Sequence, residues 1–578
     1  MLLIEQKKEK IILGGNAAVY LAGGYSLYVS KHVWDFQLFL FWAILVLISN
    51  VIVYTRKLKY DRCTIICTLI FSFGFIGNAL FIWPVVQGIK LGNLVKYLID
   101  VLFFLPLVRT LVYLIENLSV FILKENIFES VNKVRLLRYR KADFVLFCTL
   151  SALIVCSLYV VIYNPTNVSY DAYRQSAEAM GLLDVEAYFG LFYIYFLRIV
   201  YLLFSNIVVV SYLQYIFFAY IFAEILYYVY LKTKVSIKWL IVLYLVILLS
   251  PNISIMLTFV SKDVPYALAI TWMTVCLCIL SDKEILIKKS IYVEFSISIV
   301  LVALIRQNGL VVVPFVFICS LFLLKDKNVL KTYIISFIVI GIMANILTEA
   351  EYIPTPNGYK YVGLFQDLYG VYHNGGNLDK EVSDLIDEVA DDKLRAEYTP
   401  YHAVDWEYTL TERMDNMKVS DFLSMYIKTA IKNPAMMVKL VLCRNDSIWD
   451  IYVGMEGVEA LSHLPVKYEN PTELALEEFI PIHKYNNGEL VLDKIGGLTM
   501  LPVFKGFFWR VGLSFQIIFI ILVLSIRDRK NMVAFLPVAA HVLFCFIALG
   551  WSSYRYSWCI SIVMPVILLN YFCKKNRI

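Results

Sequence analysis

The chain has 578 residues, of which 60% are hydrophobic and 17% charged, and its mean hydropathy is +0.70. Soluble domains are less apolar and more highly charged, so this composition excludes an ordinary soluble enzyme, a coiled coil and a disordered chain. The net charge of +6 is small and unevenly distributed, and it does not indicate a nucleic-acid partner. Long apolar runs separated by short basic segments predict a polytopic, all-α membrane protein.

About fourteen apolar runs have the length expected of membrane-spanning helices, which need roughly 20 apolar residues each. The first run follows the basic start MLLIEQKKEK and is interpreted as a retained helix, because further apolar runs follow at once. The stretch 291–324 is too long for one helix and is interrupted at Arg306–Gly309, so it is divided into two spans. The predicted spans lie at about 11–29, 37–54, 64–86, 98–122, 144–163, 206–231, 239–258, 264–281, the two halves of 291–324, 331–349, 505–525, 532–550 and 556–572.

The loops between these spans predict the orientation of the protein. Every short segment that is rich in Lys and Arg falls on the same side, which the positive-inside rule identifies as the cytoplasm. Both termini are then predicted to be cytoplasmic. The Lys- and Ile-rich composition suggests a bacterial source, and hence the bacterial plasma membrane. The basic segments are 55–63, 124–142, 232–238, 282–289, 325–331, 527–530 and the tail from Lys574.

Spans and loops divide the chain into four predicted parts. Residues 1–143 form an N-terminal four-helix membrane module. Residues 144–349 form a membrane core whose first outer loop, 164–205, carries the candidate catalytic acids. Residues 350–504 form one large extracytoplasmic loop or domain, and residues 505–578 supply the last membrane helices.

The large outer loop has a composition and a pattern of its own. It carries 25 acidic against 13 basic side chains, which fits an outer location, although solubility alone accounts for such an excess. Residues 378–398 have the apolar spacing of an amphipathic helix, and 421–442 predict two short helices broken before Pro434 that could lie on the membrane surface. Cys443 is the loop's only cysteine, so the loop has no internal disulfide.

The first outer loop contains Asp171, Asp184 and Glu186, followed by an apolar segment, 187–204. An acid placed where a spanning helix leaves the membrane can act as a general base on an acceptor hydroxyl, or it can hold a divalent metal ion. The simpler interpretation is an exposed loop acid. Residues 187–204 predict an amphipathic helix in the membrane interface, with Arg198 snorkelling towards water.

Two further polar interruptions lie at predicted outer ends of spans. In FVSKDVPYALAI, Lys262 could face a phosphate and Asp263 could orient a sugar or an acceptor, although neighbouring opposite charges often only neutralise each other. In LIRQNGLVVVPF, Arg306 and Asn308 interrupt an apolar stretch, where an ionisable residue is costly and therefore a functional candidate. Gly309 permits a tight turn. Arg306 could grip a lipid-linked phosphate with two hydrogen bonds, or it could simply snorkel.

The last outer turn, WSSYRYSWC, places Arg555 and Tyr556 between two apolar spans. Arg555 could be a second phosphate contact, whereas the surrounding aromatic residues are equally typical of a membrane-interface belt. The sequence has no zinc-ligand spacing, P-loop or dinucleotide motif, so it predicts no metal site and no cofactor, apart from the divalent cation that a loop acid could hold. Together the candidates supply one base and three cations on one predicted face, as an enzyme using a lipid-phosphate donor requires.

In these segments the chain resembles the GT-C superfamily of membrane glycosyltransferases, and more narrowly an uncharacterised bacterial family of this type found with cell-envelope genes. The resemblance covers about 144–572 and rests on SYDAYRQ, GLFYIYFLRIVYLLFSN, Gln214, SKDVPYALAI, LIRQNGLVVVP, YIKTAIKNPAMMVKLVL and SSYRYSWCISIVMP, in this order. It implies a GT-C-like fold and inverting transfer of a sugar from a polyprenyl-phosphate carrier to a cell-envelope glycan or lipid acceptor on the outer face. It implies Asp171 as the general base, with Arg306 and Arg555 near the donor phosphate.

One departure from the resemblance and three alternatives remain. Familiar members often carry two adjacent acids in the first loop, whereas here Tyr170 precedes Asp171, which leaves Asp184 and Glu186 as substitute bases. A polysaccharide polymerase or ligase is the first alternative, and it does not need an acid directly after a span. A transporter of lipid-linked glycans is less favoured, because transporters place ionisable residues at mid-membrane and show two related halves. A purely structural assembly role is the third.

Overall fold

The protein is almost entirely helical. Among the residues that the structure describes, the β-structure consists of one pair of strands with two residues each. The computed structural model describes residues 36–82, 90–123, 140–163, 166–233, 235–282, 289–349, 351–355, 357–401, 410, 414–451, 475–481, 487–526, 528, 530–548 and 553–575.

Helices occupy the positions of the predicted spans wherever the structure describes them. Apolar runs form helices because a helix satisfies its own backbone hydrogen bonds, which lipid cannot do. In chain order they are α1 (Phe36–Thr55), α2 (Arg62–Gly77, continued by the π-helix Asn78–Ile82), α3 (Leu91–Leu123), α4 (Lys141–Tyr163), α7 (Val208–Lys232), α8 (Ile237–Leu248), α9 (Pro251–Thr258), α10 (Asp263–Leu280), α11 (Lys289–Ile305), α12 (Gly309–Leu324), α13 (Lys327–Thr348), α22 (Gly512–Ser525), α23 (Leu536–Ala548, after a 3₁₀ turn at Asn531–Phe535) and α24 (Tyr554–Lys575).

Judged by length and composition, fewer of the described helices can span a membrane than the sequence predicts. Among the described residues, six helices are long and apolar enough to cross a membrane, or seven if the bent pair α8–α9 is one span. The predicted span 239–258 is wrong as a single helix, because it bends by 61° where Pro251 begins α9. Proline has no N–H to continue the preceding helix. The predicted span 505–525 is likewise interrupted before Gly512, and 11–29 lies outside the described residues.

The centre of the membrane part is α10, which is buried along nearly its whole length and packs against α7, α11 and α24. Its neighbour α11 meets α12 at a very close approach. A Cβ atom placed on Gly309 would lie 1.7 Å from the carbonyl oxygen of Val302, so only glycine fits there. This contact explains how the predicted break at Arg306–Gly309 folds into two short, tightly packed helices.

The N-terminal part forms a separate apolar core. Trp42 of α1, Phe75 of α2 and Phe104 of α3 pack together, and Ile520 of α22 joins them. The three described helices therefore dock on the C-terminal membrane helices rather than standing alone. The first of the four predicted helices lies outside the described residues.

A helical domain follows α13, in the region predicted to be the large outer loop. Its amphipathic helix is confirmed at Lys380–Val389, although the helix ends earlier than 398, and its two predicted helices before and after Pro434 are confirmed. The helices are α14 (Val362–His373), α15 (Lys380–Val389), α16 (Asp392–Glu397), α17 (Val419–Lys432), α18 (Pro434–Arg444) and α19 (Asp446–Trp449), and α20 (Asn487–Thr499) and α21 (Pro502–Phe508) lead back to α22.

The first predicted outer loop folds into a strand and two helices. These are β1 (Asn167–Val168), α5 (Tyr170–Met180) and α6 (Leu191–Phe204). The predicted interfacial helix is therefore present at 191–204, after a 3₁₀ turn. Its Arg198 does not simply snorkel, because its Nε donates to the carbonyl of Ala179 at 3.0 Å and caps the end of α5.

Candidate functional site

A short parallel strand pair brings the candidate residues together. β1 pairs with β2 (Phe259–Val260), and the N–H of Ser169 donates to the carbonyl of Val260 at 3.2 Å. Ser169 also caps α5, since its Oγ accepts the N–H of Ala172 at 3.1 Å. Asp171, in the first turn of α5, is thereby held beside the start of α10.

Gln214 of α7 fixes the other strand of this pair. Its side-chain amide donates to the carbonyls of Leu257 and Phe259, at 2.9 and 3.2 Å. A buried amide that satisfies two backbone carbonyls stabilises a turn that could not otherwise be buried. Gln214 therefore supports the turn that carries Lys262 and Asp263.

Asp263 is the centre of an ion-pair network formed by four segments. Its side chain is only 2% exposed, and it lies between two arginines. Nη1 of Arg306 is 2.6 Å from Oδ1 of Asp263, and Nε of Arg555 is 3.7 Å from Oδ2. Nη1 of Arg555 is also 3.4 Å from Oδ2 of Asp171, whose side chain is 28% exposed. Ser261 completes the network by donating its hydroxyl to Asp263 at 3.2 Å.

Tyr556 lies between the two guanidinium groups. Its ring centroid is 4.5 Å from the guanidinium carbon of Arg306 and 4.8 Å from that of Arg555. Its hydroxyl is 2.8 Å from Nη2 of Arg555, which donates to it. Cation–π contacts of this kind hold a guanidinium in place while leaving its N–H groups available. The ring therefore sets the relative position of the two arginines.

Lys262 directly precedes α10 and contacts the 3₁₀ turn before α6 (Ala187–Phe189). Its Nζ lies 5.5 Å from the centroid of the Tyr188 ring and 3.5 Å from the Tyr188 carbonyl oxygen. Burial lowers the pKa of Lys262 to about 8, and the nearby carboxylate of Asp171 limits this fall. The lysine is therefore a cation whose charge is sensitive to pH in the alkaline range.

The structure unites most of the predicted site residues and separates three of them. Asp184 lies exposed in the turn after α5, and Glu186 pairs with Arg174 instead of joining the arginine network. These two substitute bases therefore lie outside the network. Asn308 begins α12, half-buried, and no hydrogen bond of its side chain to Arg306 or Asp263 is seen.

Several residues near the site were missed by the sequence analysis. His541 is fully buried, and its Nε2 lies 2.9 Å from the Tyr556 carbonyl oxygen, so it supports the first turn of α24. It is the only histidine within a predicted span, and this unusual position could have identified it as a candidate from the sequence. On α5, Glu178 is buried beside Arg174, and burial raises its pKa to about 7. The positions 171, 174 and 178 share one helical face, which shows only once α5 is recognised as a helix.

The described residues form no metal site, and the comparisons with known proteins identify no family. Among the described residues there is no group of three or more His, Cys, Asp or Glu side chains placed to hold a metal ion. Comparison of the chain with models of protein families, with curated proteins and with solved structures found no match. The interpretation of the site therefore depends on its own geometry and on the resemblance described above.

Proposed function

We propose that this protein is a GT-C-type glycosyltransferase, which moves a sugar from a polyprenyl-phosphate donor to a cell-envelope acceptor at the outer face of a bacterial plasma membrane. The observation that carries the proposal is the convergence of Asp171, Asp263, Arg306 and Arg555, from four segments far apart in sequence, in one network at one end of the helical bundle. The fourteen-span topology, with both termini and the basic loops inside, belongs to the same proposal.

The charge of the cluster fits such a donor. Lys262, Arg306 and Arg555 supply three positive charges against the carboxylates of Asp171 and Asp263, which leaves one positive charge in excess. A polyprenyl phosphodiester of a sugar carries one negative charge. Arginine binds a phosphate through two parallel hydrogen bonds, and desolvated pairs of this kind are strong. The cluster is therefore complementary in charge to the intact donor.

The proposed reaction places each group in a role. The acceptor hydroxyl gives its proton to Asp171, and its oxygen attacks the anomeric carbon of the donor sugar. The bond between this carbon and the phosphate oxygen breaks, and polyprenyl phosphate leaves with the electron pair, so the anomeric configuration inverts. Arg306 and Arg555 stabilise the negative charge that grows on the leaving phosphate. Asp263, which is buried, acts as a positioning residue that holds both arginines.

The ion pair between Arg555 and Asp171 suggests how donor and acceptor sites cooperate. Asp171 is 28% exposed, so this contact of 3.4 Å is more exposed than the contacts that the two arginines make with Asp263, which is 2% exposed. A donor phosphate that attracts Arg555 would weaken its pairing with Asp171. A carboxylate released from a cation is a better proton acceptor. In this proposal the base becomes fully competent when the donor is bound.

The decisive experiment uses the purified protein in lipid nanodiscs with a panel of polyprenyl-phosphate sugars and a candidate envelope acceptor, and it follows the release of polyprenyl phosphate. Asp171→Asn keeps the shape of the side chain but removes its basicity, so turnover should fall by about 10²- to 10⁴-fold while donor binding stays nearly unchanged. Asp184→Asn, an exposed acid of the same loop, is the matched control and should retain activity.

Other outcomes would revise or reject the proposal. If Asp184→Asn or Glu186→Gln loses turnover and Asp171→Asn does not, the base is misassigned but the class of reaction stands. If all three variants stay active, the mechanism of transfer is wrong. A polymerase or ligase, which needs no acid at this place, would then be the better interpretation.

A further inference from the structure

The opposite end of α10 from the candidate site opens onto a polar cavity. α10 has 18 residues from Asp263 to Leu280, so the two ends are about 27 Å apart at 1.5 Å per residue. The cavity has a volume of about 330 Å³. It is lined by Leu280, Ser281, Leu324, Lys325, Asp326, Lys327 and Lys530. Two of the basic segments predicted to be cytoplasmic, 325–331 and 527–530, therefore meet around one cavity beside the end of α10.

The cavity has an excess of positive charge. Lys325, Lys327 and Lys530 line it, and none of the three forms an ion pair with any residue that the structure describes. Three cations so close together repel one another, and a protein keeps such a group where an anion can relieve the repulsion. Asp326 is the acid among the described lining residues, and it does not neutralise the three lysines because its carboxylate has other partners.

Two of the described carboxylates at this end of the bundle already have partners. Asp326 accepts the N–H of Asn328 at 2.8 Å as the cap of α13, and it accepts the hydroxyl of Tyr292 at 3.0 Å. Asp282, beside the cavity, lies 3.0 Å from the Nζ of Lys232. Neither carboxylate forms an ion pair with Lys325, Lys327 or Lys530.

The start of α13 adds to the positive potential. This helix has 22 residues and begins at Lys327, so its N-terminal end, which Asp326 caps, carries a partial positive charge at the wall of the cavity. Phosphate groups bind at helix N-termini for this reason. Leu280 and Leu324 give the remaining wall an apolar character, which suits the carbon atoms next to a phosphate ester.

We infer that this cavity binds the phosphate of a phosphate ester, held by Lys325, Lys327 and Lys530 at the start of α13. The site is separate from the proposed transferase site and does not depend on it. Its ligand is a phosphate ester that comes either from an anionic lipid head group of the adjacent leaflet or from a soluble phosphorylated compound. Both sources share the same recognition chemistry, and they can be separated by experiment.

The experiment uses the full chain in nanodiscs, with two arms. In the lipid arm, the discs contain phosphatidylcholine with increasing phosphatidic acid, and native mass spectrometry counts the anionic lipids retained by the protein. In the soluble arm, the discs contain phosphatidylcholine alone, and glycerol 3-phosphate is titrated while thermal unfolding is followed. The test variant is Lys325→Gln/Lys327→Gln/Lys530→Gln.

The control variant has the same net charge and changes the same predicted face. Lys289, Lys331 and Lys575 are exposed at this end and do not line the cavity, so Lys289→Gln/Lys331→Gln/Lys575→Gln is the matched control. The test variant should bind the phosphate ester roughly 10- to 100-fold more weakly than the wild type, because each lysine near an anionic group contributes a several-fold factor. The control should change affinity by no more than about threefold, because its lysines do not line the cavity and act on the ligand only at a distance, where salt screens them.

Each result decides the inference. Loss of retained phosphatidic acid in the test variant alone supports a lipid ligand, and loss of the response to glycerol 3-phosphate alone supports a soluble one. Equal losses in test and control variants would overturn the inference, because the lysines would then act only as bulk charge. Absence of phosphate binding by the wild type in both arms would overturn it as well. The triple Lys→Arg variant at the cavity keeps the charge and should keep binding, which distinguishes loss of a site from loss of the fold.

Discussion

A buried ion pair joins two helices of the helical domain, and its arginine also contacts a membrane helix. Nε and Nη2 of Arg444 on α18 donate to the two carboxylate oxygens of Asp367 on α14, at 3.0 and 2.9 Å, and both side chains are almost completely buried. Nη2 of Arg444 also donates to the carbonyl of Phe546 on α23 at 3.2 Å, and the hydroxyl of Tyr426 donates to Asp367 at 2.9 Å. Removing one partner would leave an uncompensated charge in the interior.

The size of the effect follows from this burial. Breaking a buried pair by neutralising one partner costs about 3–5 kcal/mol, because the remaining charge has lost its counter-ion. At about 1.4 kcal/mol per factor of ten, Asp367→Asn should raise the population of the locally opened domain by about 10²- to 10⁴-fold. Tyr426→Phe removes one hydrogen bond to a charged group, about 1.5–3 kcal/mol, so its effect should be smaller.

Cys443 provides the assay. Its thiol is fully buried next to Arg444, and burial raises its pKa to about 12, so the folded domain should react very slowly with a thiol reagent. Cys443 can therefore report the side of the membrane on which the domain lies only when the domain opens. When reclosing is fast, the rate of labelling follows the opened population. Labelling of Cys443 by an impermeant maleimide is measured by mass spectrometry in sealed vesicles of known orientation.

An exposed pair in the same domain is the matched control. Nη2 of Arg395 lies 2.8 Å from Oδ1 of Asp387, and both side chains are substantially exposed. Asp387→Asn should accelerate labelling by a few-fold at most, since exposed pairs contribute little. If Asp367→Asn and Asp387→Asn label at similar rates, the reasoning about the buried pair fails. If Cys443 reacts only from the predicted cytoplasmic side, the proposed orientation is wrong, and the proposed function with it.

Two further predictions concern the site and its support. If Lys262 contacts the anionic donor, donor affinity should fall as the pH rises through about 8, because the cation binds and its neutral form does not; Lys262→Arg should remove this dependence, and a wild-type affinity that is flat between pH 7 and 9 would exclude the contact. Gly309→Ala should lower the unfolding temperature in detergent strongly, because its Cβ would overlap the carbonyl of Val302 at 1.7 Å. Gly341→Ala on α13, where nothing lies within 4 Å, should instead stabilise the protein by up to about 1 kcal/mol, and equal effects of the two changes would contradict the packing argument.

The sequence by itself determined where the helices lie and which polar residues deserved study. Apolar runs form helices in lipid irrespective of their neighbours, so hydropathy located the described helices, with bounds that differ by up to seven residues where a span is longer or interrupted, as at Leu91–Leu123 and Gly512–Ser525. Charged residues are conspicuous in such runs, which is why Asp263, Arg306 and Arg555 could be singled out without a structure. The break at Arg306–Gly309 could also be predicted, because its polar residues interrupt the apolar run. The bend at Pro251 was missed, because it changes the helix direction without a polar interruption.

Tertiary structure alone decided which of these residues meet. The pairing of β1 with β2 places Asp171 beside Asp263, while Asp184 and Glu186, only a few positions further on, face elsewhere. Hydropathy is calculated from neighbours along the chain, whereas the partner of a side chain depends on how the helices rotate and pack against each other. The cavity at the far end of α10 has the same origin, because its lysines come from two loops that only the packed bundle brings together.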